Sequence, residues 1–133
     1  MNTSSVAPMQ YVSLRDASSI DPRYGHGGGK VWYARPEFAR ESRMGHRWLR
    51  ERGLLPTAGT LRRYYALVGV LDTASPEEAY GLMQGERWSP EGQARSLITW
   101  LGLSHTTMGV GDIFEKGGQL YLADRIGFVK LDG

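Results

Sequence analysis

The stretch Tyr64–Asp72, YYALVGVLD, decides the fold. It is rich in β-branched and aromatic residues and carries no charge before Asp72. An apolar run of this length and composition reads as a strand. Directly after it, Ser75-Pro76-Glu77-Glu78 has the form of a capping box with proline at the first helical position. That predicts a short helix running to about Gln84. GERWSP, 85–90, reads as a turn, and Ser89-Pro90-Glu91 as the cap of a second helix. Within 93–101, Ala94, Leu97, Ile98 and Leu101 recur at helical spacing and predict one apolar helix face. Farther on, KGGQ at 116–119 lies between GDIFE and LYLAD and reads as a hairpin turn. GFVKL then closes the chain as an alternating strand.

Upstream of the strand the pattern is less regular. Residues 1–10 are small and polar, QYVSLRDASSI suggests a short strand and turn, and DPRYGHGGGK at 21–30 has a loop composition. VWYA, 31–34, suggests another short strand. Pro36 and Glu37 suit a helix start, so PEFARESRMGHRWLRER predicts one helix ending at Gly53, with Pro56 beyond. The sum predicts an α+β fold: a small antiparallel sheet with helices packed on one face. Residues 1–63 form a basic N-terminal region with a glycine loop and an arginine-rich helix. Residues 64–133 form a strand-helix-hairpin module, and both belong to one compact domain.

Composition narrows the chemistry. The 133 residues contain no cysteine, which removes disulfides, zinc–thiolate sites and thiol nucleophiles. No apolar run approaches the roughly 18–20 residues that cross a bilayer, and MNTSSVAPMQ lacks the pattern of a signal peptide. A cytoplasmic protein is therefore expected. Net charge is +2, but it is unevenly spread. Residues 1–63 carry 11 Lys/Arg against 5 Asp/Glu, while residues 64–133 carry 5 against 9. Such asymmetry marks either a surface for a charged partner or two halves that attract each other.

The sharpest polar signal is Arg40, Arg43, Arg47 and Arg50. On a continuous helix this spacing lines up all four guanidiniums. Like charges so placed repel, unless Glu37, Glu41 and Glu51 neutralise them or an acidic partner covers them. Arginine forks suit phosphate or carboxylate, and Arg62 and Arg63 extend the set. Trp88, in a turn beside Arg87 and Pro90, is the expected exposed anchor residue.

Other motifs point to chemistry only weakly. GHGGGK fails as a phosphate loop: Tyr24 stands where the first glycine belongs, and Val31 where the Mg²⁺-binding hydroxyl belongs. His26, His46 and His105 are far apart, and no pair has the spacing of a zinc-binding helix. No metal or cofactor is therefore expected. SHTTMGVGDIF, 104–114, offers Ser104, His105 and Asp112 but no nucleophile elbow. Ser104 and His105 are neighbours, and neighbouring side chains on a strand diverge. Asp112 is instead expected to brace a turn, with Ile113 and Phe114 entering the core.

From Tyr65 to Leu131 the order of features resembles the YodL-like domain. YYALVGVLD is followed by the helix SPEEAYGLMQ. SHTTMGVGDIF is similar to that family's Ser/Thr-x-Ser-x-Gly/Ser-Asp-Val/Ile motif, and LYLADRIGFVKL to its closing Tyr-x-Val…Gly-Phe strand. The chain departs from the pattern at Thr107 and Gly109 and in the additional Arg125. The resemblance covers about half of the chain. It implies an accessory protein of phages or conjugative elements, without catalytic activity, that blocks a host defence complex of CRISPR or restriction type. The partner is then a protein complex, with nucleic acid reachable through the arginine helix, no membrane, and self-association open. Two alternatives stand beside it: a nucleic-acid-binding regulator using the arginines, and a small hydrolase using His105, Asp112 or the 25–30 loop.

Overall fold

A computed structural model describes residues 28–132. The expected strand and turn in 10–20 and the glycine loop up to residue 27 lie outside the described residues. The chain runs β1 (Gly29–Ala34), α1 (Pro36–Ser42), α2 (His46–Glu51), α3 (Leu61–Tyr64), β2 (Tyr65–Leu71), α4 (Pro76–Leu82), α5 (Gly85–Trp88), α6 (Arg95–Trp100), β3 (Ile113–Lys116), β4 (Gln119–Ala123) and β5 (Phe128–Lys130). The strands form one sheet in the order β2-β1-β3-β4-β5, every neighbouring pair antiparallel. The α+β class and the antiparallel sheet are as the sequence predicts.

The helical cover differs from expectation. Helices occupy both faces of the sheet, where one covered face was expected. Alternate strand residues sort into two apolar clusters. Val31, Tyr33 and Phe114 pack with Ala79, Met83, Trp88 and Ile98 from α4, α5 and α6. Trp32, Ala34, Ile113 and Leu122 pack with Phe38, Leu49 and Leu61 from α1, α2 and α3. Because β1 is buried on both sides, it reads as a continuous apolar run. It pairs with β2 on one edge and β3 on the other. The 63/64 division of charge is therefore no structural boundary, since a strand from the basic region lies between two strands from the acidic one.

YYALVGVLD is the edge strand β2, with all seven residues of Tyr65–Leu71 buried. Its register against β1 shifts between Val31 and Trp32, where Val31 faces Gly69 and Trp32 faces Leu67. This bulge inserts Val68 and resets the alternation. Ala66, Val68 and Leu71 consequently share one core although 68 and 71 differ in parity.

Local signals held at several places. Ser75 Oγ accepts the Glu78 amide at 3.1 Å, and Pro76 opens α4. The reciprocal half of the capping box is replaced: Glu78 bonds the Thr73 hydroxyl, which in turn accepts the Ser75 amide at 3.1 Å. Lys116 and Gln119 face each other across Gly117-Gly118, so KGGQ is the β3–β4 hairpin turn. Ser89 accepts the Ala94 amide at 2.9 Å, and α6 begins at Arg95 rather than at Pro90.

Candidate functional site: the arginine helices and the β4–β5 turn

The predicted single helix over 36–52 is two helices. Gly45 adopts φ +99, a conformation in which a side chain is strained, and it ends the path of α1. Arg40 and Arg43 consequently belong to α1 and its C-terminal cap, and Arg47 and Arg50 to α2. The four guanidiniums do not form one stripe along one helix. The residue between Met44 and His46 supplied the signal for this break: a glycine inside an otherwise helical pattern.

All four arginines are exposed. Their neutralisation is partial. Arg47 Nε meets Glu51 Oε2 at 3.3 Å. Glu41 accepts the Trp48 indole N–H at 2.7 Å rather than pairing with an arginine. Arg40, Arg43 and Arg50 have no carboxylate partner among the described residues. Arg52 adds a further cation, its guanidinium 3.2 Å from the centre of the Trp48 ring. Between that stack and Glu41 the Trp48 ring is held from two sides.

Arg62 and Arg63 lie on α3, above Trp32 at 5.4 Å and Tyr64 at 5.9 Å. They are exposed cations over aromatic rings, and no described contact joins them to Arg40–Arg50. Trp88 corrects the expectation of an exposed anchor: its exposure is 0%. The turn that carries it is the helix α5, folded across the 104–108 loop. Its indole N–H donates to the Thr106 carbonyl at 3.0 Å while its ring fills the α4–α6 core.

The β4–β5 turn, Asp124–Gly127, meets the arginine helices at their break. Asp124 Oδ1 accepts the His46 amide at 3.3 Å, the first N–H of α2. A Cβ on Gly45 would stand 2.8 Å from that same oxygen, so glycine admits the carboxylate. The turn is closed by the Asp124 amide on the Gly127 carbonyl at 2.9 Å. Its tip displays Ile126, 94% exposed, near Met44, 40% exposed. Between α2 and the turn lies a groove of about 460 Å³. Arg125 separates it from a smaller hollow of about 270 Å³ beside Tyr80 and Phe128. Sequence reasoning missed this site. Its one visible sign was the additional Arg125 in LYLADRIGFVKL.

SHTTMGVGDIF forms a different structure. Asp112 is 2% exposed and collects three donors. The amides of Ala34 and Gly109 reach it at 2.9 Å each, and His105 Nε2 at 2.9 Å. The His105 ring stacks on Tyr33 with centroids 4.6 Å apart. Tyr33 Oη donates to the Thr106 carbonyl at 2.7 Å, and Tyr65 Oη to the Gly111 carbonyl at 2.7 Å. Gly111 has φ +97, and a Cβ there would stand 2.5 Å from the Ser42 carbonyl oxygen, so the loop closes directly on the end of α1. Burial pushes both phenols well above the usual tyrosine value, and the Asp112 carboxylate adds to the effect. Asp112 therefore braces its turn, as expected, and also ties that turn to the end of β1.

An aspartate on one imidazole nitrogen is half of a hydrolase relay. The other half is not assembled among the described residues. His105 Nδ1 is buried and has no hydrogen-bond partner there, and Ser104 is exposed. No group of three His, Cys, Asp or Glu residues able to hold a metal occurs among the described residues. Nor is any described helix long and apolar enough to cross a membrane. No protein-family model, curated protein or solved structure matches this chain.

Proposed function

We propose that the protein works by binding, without catalysis, as an accessory factor of a phage or conjugative element that docks on a host defence complex of CRISPR or restriction type and inhibits it. The observation that carries the binding half is the exposed set Arg40, Arg43, Arg47 and Arg50, of which only Arg47 has a carboxylate partner among the described residues. Arginine forks without partners suit carboxylates on another surface. The mobile-element half rests on the resemblance of residues 65–131 to the YodL-like domain. The runner-up is nucleic-acid binding through the same cations. It is favoured less because the break at Gly45 leaves no continuous arginine helix to lie along a groove.

The test is recovery of partners from a host lysate by the wild-type protein and by an Arg43→Glu/Arg47→Glu variant, at low and high salt. The reading expects subunits of a defence complex with the wild type and their loss with the variant. Recovery of nucleic acid alone, falling steeply with salt, would replace it by the runner-up. Equal recovery by both proteins would remove the arginines from the interface.

A further inference from the structure

We propose that the groove between α2 and the β4–β5 turn binds an acidic segment of a partner protein, which inserts one apolar side chain between Met44 and Ile126. The inference rests on the reading of the protein as a protein binder and assigns the contact point.

The apolar part is unusual in its display. Ile126 is 94% exposed at the tip of a closed turn, and Met44 is 40% exposed across from it. Exposed single apolar residues are common, but two that rim one groove offer a seat for a third. The groove, about 460 Å³, is large enough for one or two side chains.

Charge selects the occupant. Two cations, Arg47 and Arg125, line this groove. Its acidic lining is already engaged: Glu51 by Arg47, and Asp124 by the His46 amide. Arg125 has no carboxylate partner among the described residues. Carboxylates of an incoming segment therefore find a guanidinium without a partner in Arg125, whereas each acid of the lining already has one. Nucleic acid fits less well. The aliphatic tips of Met44 and Ile126 give bases no ring to stack on, and one face of Trp48 is already covered by Arg52.

The site is also preformed. Glu41 and Arg52 fix Trp48 from two sides, Asp124 fixes the start of α2, and the Asp124–Gly127 bond closes the turn. Little ordering remains to be done on binding.

The test uses the full-length protein, ¹⁵N-labelled, and a fluorescein-labelled peptide, acetyl-Glu-Glu-Leu-Glu-Glu-Leu-amide. Binding is followed by anisotropy and amide shifts. The proposal expects saturable binding, with the Trp48 indole and Gly127 amide among the shifted signals. Ile126→Ala should weaken it by about thirtyfold, the loss of one hot-spot residue. Arg125→Glu should weaken it as well, while Trp100→Ala on α6 should leave it unchanged. These side chains are exposed, so each variant folds. A peptide with lysine for glutamate that binds equally well, a single-stranded oligonucleotide that binds more tightly at the same amides, or binding insensitive to Ile126→Ala would each overturn the proposal. So would absence of binding. The two readings fail separately. If the wild type recovers a defence complex that Ile126→Ala and Arg125→Glu also recover, the groove is wrong and the function stands. If the peptide fills the groove but no complex is recovered, the converse holds.

Discussion

Asp124 accepts the backbone N–H of His46 across 78 residues of sequence, and this contact seats the β4–β5 turn in the break between α1 and α2. Exposed side chains gather around it: Arg47 from α2, Met44 from the linker, and Arg125 and Ile126 from the turn. The break is thus a constructive element. A continuous helix would leave no opening for the carboxylate and no groove beside it.

Gly45 should therefore resist substitution more than Gly53, a left-handed glycine with open space around it. Gly53 has φ +67 and open space around its missing Cβ, whereas Gly45 has φ +99 and the Asp124 oxygen 2.8 Å away. Gly53→Ala is expected to cost about 1 kcal/mol and Gly45→Ala about 2–3 kcal/mol. Urea unfolding of the two variants checks the order. Equal losses would mean that Asp124 yields freely.

Asp112→Ala should destabilise by about 3 kcal/mol, because it strands the buried Ala34 amide and the half-buried Gly109 amide and removes the partner of His105. This is more than a lost helix cap costs. Thermal unfolding measures it, and a change below about 1 kcal/mol would contradict the bracing role.

Trp88→Ala should cost about 3–5 kcal/mol, the range for a large buried ring. Its exposure is 0%, and its indole N–H holds the Thr106 carbonyl. Denaturant unfolding checks this. A near-neutral effect on stability with lost binding would restore it as a surface anchor.

Alkaline pH should loosen the fold through Tyr33 and Tyr65. Both phenols are held well above their ordinary value, first by burial and then by Asp112. The folded state keeps their protons where the unfolded state releases them. Their contribution is fully present below the unfolded value of about 10 and is lost as pH rises above it, each phenol removing up to about 1.4 kcal/mol per pH unit. Tyr65→Phe should flatten this slope in circular-dichroism titrations. An unchanged slope would show that other groups dominate alkaline unfolding.

How much of this was legible depended on range. YYALVGVLD, the Ser75 cap and the KGGQ hairpin are local devices, and each was read from a few adjacent residues. The site was not, because its parts come from residues 44–51 and 124–126. Their meeting is set by sheet order, which places β1 between β2 and β3, and by the fold of the β4–β5 turn beside α2. Periodicity pointed to the arginines but not to the glycine that divides them. Trp88 was misread because its turn residues suggest exposure, whereas its burial depends on the distant 104–108 loop.

The separation of an internal brace from an external binding face is tested most directly by measuring melting temperature and defence-complex recovery together for Asp112→Ala and Arg43→Glu/Arg47→Glu. The first should melt well below the wild type yet recover the complex at temperatures where it is folded. The second should melt like the wild type and recover nothing. Lost recovery in folded Asp112→Ala, with recovery intact in the arginine variant, would contradict the assignment and return the function to SHTTMGVGDIF.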